Sequence, residues 1–162
     1  MIRGIKIGDS NSVADIYNYY IANTAVTFEE NPVTGDAMKE RIKSHTINLP
    51  WIVYEEKNEV LGYAYATEWK SRYAYRFSVE STVYLRQDIL GKGIGTKLYR
   101  ELLNRLNETN IHIVIGGIAL PNRASIALHE KLGFKKVAQF KEVGYKFEKW
   151  IDVGYWELII NK

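Results

Sequence analysis

Cysteine is absent from the 162-residue chain, which excludes a disulfide framework, thiolate metal sites and a cysteine nucleophile, and leaves its redox surroundings undetermined. Histidine is scarce. His45, His112 and His129 stand too far apart for a ligand pattern of the H-E-x-x-H kind, so a metal enzyme is not expected. Long apolar runs are missing: the longest, residues 113–121, falls far below the ~20 residues that cross a bilayer, and the opening residues have no secretory apolar core. Neither sign of charge dominates, since 22 Lys plus Arg against 19 Asp plus Glu leave +3, without the basic stripe of a nucleic-acid binder. With 46% hydrophobic and 25% charged residues, the expectation is a soluble, cytoplasmic protein with no membrane or nucleic-acid partner, its single domain spanning residues 1–162.

What is present alternates between helical and extended patterns. Ile2, Ile5 and Ile7 suggest a first strand, and Asp9 or Ser10 can cap a helix carrying Val13, Ile16, Tyr17, Tyr20 and Ile21. A second helix is predicted near 36–44, then strands over 51–55 and 60–66 with a turn at Lys57-Asn58. Residues 77–85 alternate strictly, with Phe77, Val79, Ser81, Val83 and Leu85 on one face and Ser78, Glu80, Thr82 and Tyr84 on the other. A helix burying Leu98, Leu102, Leu103 and Leu106 leads to a strand over 111–118. Asn122 caps another helix with Ala124, Ala127, Leu128 and Leu132 on its apolar side and Gly133 just past its end. Strands over 137–143 and 153–160 close the chain. The order is mixed α/β with hairpins early and late and one parallel crossover between them.

Between the strand at 77–85 and the following helix lies Leu90-Gly91-Lys92-Gly93-Ile94-Gly95. Glycines at alternate positions let the backbone turn its amides inward at a helix N-terminus, which suits a pyrophosphate. The spacing is not that of a Walker loop, and Thr96 stands where a dinucleotide fingerprint needs its last glycine. A turn serving only strand-to-helix geometry is the alternative.

Val83-Tyr84-Leu85, the loop 91–95, Leu120-Pro121-Asn122 and Leu128-His129-Glu130-Lys131-Leu132-Gly133-Phe134 together resemble the acetyl-CoA signature of the GNAT superfamily of N-acetyltransferases. Trp69-Lys70-Ser71-Arg72-Tyr73-Ala74-Tyr75, Val79-Glu80-Ser81-Thr82-Val83-Tyr84, Asp152-Val153-Gly154-Tyr155-Trp156 and Thr27-Phe28-Glu29 resemble its phosphinothricin N-acetyltransferase family. The resemblance runs from Tyr17 to Trp156. It implies an acyl-CoA N-acyltransferase fold with splayed central strands and acetyl-CoA as cosubstrate. The pantetheine arm would lie along Val83, Tyr84 and Leu85, and amides of Gly91, Lys92, Gly93, Ile94, Gly95 and Thr96 would hold the pyrophosphate, with Asn122 and Ser125 beside them. Leu90 departs from the Arg or Gln usual before the glycines, which puts a side-chain contribution there in doubt.

Amide formation needs a neutral amine, so a base must take a proton from the ammonium. Glu80 is the candidate, a carboxylate in mid-strand where desolvation would raise its pKa. The alternative is a solvated Glu80, or one paired with Arg72 or Arg76. The resemblance makes His129 a second candidate for proton transfer; a satisfied structural histidine is the other reading. By the same resemblance Phe28, Lys70, Arg72, Tyr75 and Thr82 line the pocket of a small amino acid such as phosphinothricin, methionine sulfone or methionine sulfoximine, and the protein is a homodimer. Tyr84 and Tyr99 are read as wall residues. Another amine acceptor, such as a protein N-terminus or a polyamine, and a non-catalytic acyl-CoA-binding role remain as alternatives.

Overall fold

The computed structural model describes residues 1–161, and among them seven strands form one mixed sheet accompanied by four α-helices. β1 (Ile2–Gly4) is short, and Ile7, expected on that strand, belongs instead to a helical turn over Ile7–Asp9. Asp9 explains the bend. Its carboxylate accepts the Lys6 N–H at 2.7 Å and the Arg3 guanidinium at 2.8 and 3.0 Å, so it turns the chain instead of capping α1 (Ser10–Asn23) through its side chain. Val13, Ile16, Tyr17 and Ile21 face inward as their spacing predicts. Thr34 caps α2 (Gly35–His45) by accepting the Ala37 N–H at 3.1 Å.

β2 (Trp51–Glu56) and β3 (Glu59–Glu68) form the expected hairpin, with Lys57 and Asn58 both at positive φ, as a two-residue turn of matching twist requires. β4 (Ser78–Leu85) runs antiparallel to β3, and α3 (Ile94–Asn107) carries the chain across to β5 (Ile113–Ala119), parallel to β4. After α4 (Arg123–Lys131), β6 (Lys135–Lys146) and β7 (Lys149–Ile159) make a hairpin whose second strand pairs with β5. The order across the sheet is β1-β2-β3-β4-β5-β7-β6.

The alternation read in β4 distributes its side chains between two cores. Val79 and Leu85, with Val83, join Leu98, Leu102 and Leu106 of α3, while Tyr84 joins Val13, Tyr17, Met38 and Ile42 of α1 and α2. The inward face of α4 keeps Leu128 and Leu132, which pack against the core as expected, but not the two alanines. Ala124 and Ala127 are exposed, and His129 is the helix's buried residue, with Ile126, Leu128 and Leu132 half-buried. A methyl group buries little apolar area, so the larger side chains settle which way a short helix turns. Gly133, at φ +93, ends the helix where the sequence places it.

Leu98 has no exposed surface at the centre of the α3 contact. Leu98→Ala is expected to cost about 2–5 kcal/mol of stability, read as a lower denaturant midpoint at unchanged slope.

Candidate active site

β4 and β5 pair over three residues only, Ser78, Val79 and Glu80 against Ile113, Val114 and Ile115, and then separate. Each keeps its other neighbour. β4 stays paired with β3 as far as Leu85, and β5 with β7 as far as Ala119. The register determines which peptide groups the separation exposes. Trp69 N–H donates to Ser78 C=O at 3.2 Å and Arg86 N–H to Leu61 C=O at 2.8 Å, so Val79 and Leu85 are non-hydrogen-bonded partners of β3. By alternation Ser81 and Val83 are too, and their N–H and C=O groups point away from β3 toward the gap. The Leu85 carbonyl accepts the Tyr20 hydroxyl at 2.6 Å, while Val83 lies beyond the last rung to β5.

The gap opens into a groove of about 460 Å³ with Val83, Leu85, Gly91, Gly93, Gly95 and Thr96 on one side and Asn122, Ser125 and Leu128 on the other. Gly91 and Gly93 both have φ +76, and a Cβ on either would meet nothing within 4 Å. Backbone conformation, not crowding, therefore demands glycine there. The turn leaves first-turn amides of α3 without helical partners at the positive end of its dipole, a place for an anion. Ile94 is buried, so only its main chain can serve a ligand, and the exposed Lys92 donates to the Asp88 carbonyl at 3.2 Å. Tyr84 faces the inner end of the site and not the groove. Asn122 accepts the Ser125 N–H at 3.1 Å, capping α4 as expected. Leu90, 48% exposed, brings apolar surface to the groove.

At its inner end lies a chamber of about 180 Å³ lined by Glu80, Thr82, Val83, Tyr99, Gly117 and His129, with Val26 and Thr27 from the loop after α1. Glu80 reaches toward β5: a Cβ on Gly117 would stand 3.1 Å from its Oε1. Burial raises the Glu80 carboxyl above the ordinary range, and the charge of Lys70 opposes the rise. Among the described residues no cation pairs with it. Arg76 instead lies 4.1 and 4.3 Å from the ring centroids of Tyr73 and Phe77.

His129 approaches from α4. Its Nδ1 donates to the Ser125 carbonyl at 2.7 Å, which leaves Nε2 to accept the Tyr99 hydroxyl at 3.1 Å, and Tyr99 is hydrogen-bonded in turn to Ser81 Oγ. Burial lowers the imidazole pKa, against the opposing effect of the Ser125 carbonyl, and so favours neutral His129. Tyr99, read from sequence as wall, is thus a link between Ser81 and His129. A Cβ on Gly116 would overlap the imidazole. Two successive glycines of β5 therefore clear opposite faces, Gly116 for His129 and Gly117 for Glu80. This pair was the unused signal in the sequence, because glycine inside a strand often marks a close approach.

The acceptor candidates are dispersed. Thr82 lines the chamber and Lys70 acts electrostatically on Glu80 from beside the Trp69 ring, 5.1 Å away. Arg72 and Tyr75 stand exposed on the segment 70–76, outside the chamber lining. Phe28 covers Gly144 of β6, where a Cβ would overlap its ring. Thr27, not singled out from the sequence as a site residue, is buried, with its hydroxyl 2.7 Å from that of Tyr17.

Gly116→Ala is expected to destabilise by about 1–3 kcal/mol through overpacking against His129. Most of that loss should vanish in the His129→Ala background, a coupling that denaturant titration of the four variants measures.

Over residues 2–154 the chain matches the family model described as the acetyltransferase (GNAT) domain. The phosphinothricin N-acetyltransferase of Streptomyces coelicolor is 37% identical over 153 residues, with 92% of this chain and 90% of that one covered. The L-methionine sulfoximine/L-methionine sulfone acetyltransferase of Salmonella typhimurium is 33% identical over 162 residues, with 99% and 94% covered. Among solved structures, a GNAT superfamily phosphinothricin acetyltransferase from Sinorhizobium meliloti in complex with AcCoA has a TM-score of 0.95 at 35% identity, covering 98% of this chain and 87% of that one. Parted strands, a glycine turn and relatives that match nearly end to end agree: this chain belongs to the GNAT acetyltransferase family and is an N-acetyltransferase of its phosphinothricin branch.

Proposed function

We propose that the protein acetylates the α-amino group of a small amino acid, with acetyl-CoA as cosubstrate. The observation that carries this reading is the unpaired edge of β4, which leads from the glycine turn to the buried carboxylate of Glu80. Acetyl-CoA bound there supplies an acyl carbon activated as a thioester. Val83 holds the pantetheine arm by its free N–H and C=O, as an added strand would be held, while Leu85 lines the groove beside it and the peptide groups of Tyr84 turn to β3. The amides of residues 91–96 receive the pyrophosphate, with Asn122 and Ser125 forming the facing wall.

Glu80 takes a proton from the acceptor ammonium, a task its raised pKa brings closer to the operating pH. A backbone amide near Val83 meets the negative charge that gathers on the carbonyl oxygen during attack by the amine. His129 is the second proton-transfer group: as the amine attacks, its second proton passes to the Tyr99 oxygen while the Tyr99 hydroxyl proton moves to Nε2 of neutral His129, and the reverse shift delivers that proton to the departing sulfur. Thr82 on the chamber wall and Lys70, whose charge acts on Glu80, receive the acceptor, and Arg72, Tyr75 and Phe28, which stand outside the chamber lining, meet its anionic groups only from the entrance side. The names of the relatives, phosphinothricin and methionine sulfoximine or sulfone acetyltransferases, support this acceptor class.

The deciding experiment follows release of free thiol from acetyl-CoA with phosphinothricin, methionine sulfone, methionine sulfoximine, ordinary amino acids, polyamines and peptides. Turnover confined to peptides or polyamines would move the acceptor to another class, and acetyl-CoA binding without any turnover would make the protein a binder. Glu80→Gln is expected to lower kcat by about 10²–10⁴-fold with little change in acetyl-CoA affinity. The wild-type rate should fall as the pH drops through a value above that of an ordinary glutamate, because protonated Glu80 cannot accept the amine proton. That acid limb should be absent in the variant.

The reading includes a homodimer. Edge strand β6 and the hairpin it forms with β7 expose Phe140, Val143, Tyr145, Phe147 and Trp150, each more than half accessible, the last at 65%. So much apolar surface in one place favours burial against a second copy. Light scattering should give twice the chain mass for the wild type and the single-chain mass for Trp150→Glu combined with Val143→Glu. A monomeric wild type removes the dimer from the proposal.

A further inference from the structure

Lys146 ends β6 just before the Phe147-Glu148 turn, yet it is only 2% exposed. Its ammonium donates to the carbonyls of Ile21, Thr24 and Thr27, each at 2.8 Å. A lysine ammonium has three N–H donors, and all three are used on main-chain oxygens more than a hundred residues away in sequence. The Ile21 carbonyl is among the last four of α1, where helix geometry leaves C=O groups unpaired and the helix dipole favours a cation. Burial lowers the Lys146 pKa, and the charge of Glu30 opposes that shift.

The segment so held is the loop that closes the reaction chamber. Val26 and Thr27 line the chamber with Glu80, and Val26 also lines the groove. The loop belongs to no strand, and beyond the Thr24 N–H on the Tyr20 carbonyl its nearby ties are side-chain bonds, such as Thr27 Oγ1 to the Tyr17 hydroxyl and Thr24 Oγ1 to the Tyr20 carbonyl at 2.7 Å. On the same side, Phe28 lies over Gly144, so the β6–β7 hairpin grips residues 21–28 at two points.

We infer that Lys146 is a positioning residue for the acceptor: its ammonium fixes residues 24–28 over Glu80 and thereby sets acceptor affinity. The inference rests on the acetyl-transfer reading above, and its test includes a measurement that needs no substrate. A lysine retained only to bury the hairpin would be replaceable by an unbranched apolar side chain of similar length. One that orders the loop would not be, because three carbonyls would lose their donor together.

Lys146→Met supplies the comparison. In the free enzyme, amide hydrogen exchange over residues 22–30 is expected to quicken by about 10-fold or more, with α3 and β5 unchanged. In steady state the KM for the acceptor should rise by about 10-fold or more, while kcat and the KM for acetyl-CoA stay within about 3-fold. Unchanged exchange over 22–30 or an unchanged acceptor KM overturns the inference. So does faster exchange throughout the chain accompanied by loss of kcat, which would mark a role in global stability alone. Should Lys146→Met fail to fold, Lys146→Gln, which keeps two donors, is judged by the same two readouts with intermediate values expected. If the wild type acetylates none of the amino acids, the functional reading falls, whereas the exchange comparison still decides whether Lys146 orders the loop.

Discussion

The pairing of Glu80 with Ile115 is the last rung between β4 and β5, and the proposed chemistry depends on the ladder stopping there. Unpaired peptide groups in a protein interior are costly unless something else satisfies them. Here the cost stays local, because each strand remains fully paired on its outer side, β4 with β3 and β5 with β7. The sheet therefore holds its shape on both sides of an opening only a few residues long. What it leaves is a short edge with a fixed spacing of donors and acceptors, the most economical receptor a sheet can offer to an extended ligand.

The opening also brings together groups that a continuous sheet would keep on opposite faces. Glu80 belongs to the face of α1 and α2, whereas His129, Tyr99 and Ser81 belong to the face of α3 and α4. In an unbroken sheet the backbone would lie between them. With β5 drawn aside and bare of side chains at Gly116 and Gly117, both sets line one chamber. Burial then acts in opposite directions on the two titratable groups. It raises the carboxyl pKa of Glu80 and lowers the imidazole pKa of His129, in each case favouring the neutral form. A carboxylate and an imidazole so treated move closer together in proton affinity than they would be in water.

The remaining wall of the chamber comes from a loop, and loops hold a position only as well as their ties allow. Cofactor-side geometry rests on strand and helix termini, whose main chain is ordered by the sheet and by α3. In the proposed reading acceptor-side geometry rests on residues 24–28, which are held by the Lys146 ammonium from far along the chain and by the Tyr17 hydroxyl of the neighbouring α1. This division matches the different demands of the two sides. A diphosphate can be met by peptide groups alone, while a small amine substrate is distinguished by side chains that can differ between related proteins.

Much of this was legible in the amino-acid order because it is local. The alternation of 77–85, the helical spacing of Leu98, Leu102 and Leu106, the Asn122 cap and the positive-φ glycines all act within a few residues, so pattern alone assigns their faces and turns. Pattern also put Glu80 and Val83 on opposite faces of one strand, which the structure bears out. It misplaced Ile7 and, on α4, Ala124 and Ala127, where a carboxylate bond to Arg3 and the small size of the two alanines outweighed periodicity, while Leu128 and Leu132 face the core as read. The length of the β4–β5 ladder, the Ser81–Tyr99–His129 chain and the reach of Lys146 to Ile21, Thr24 and Thr27 were decided only in three dimensions. Periodicity says which way a side chain points but not what it meets, and each of these features is a meeting of segments that the chain itself keeps far apart.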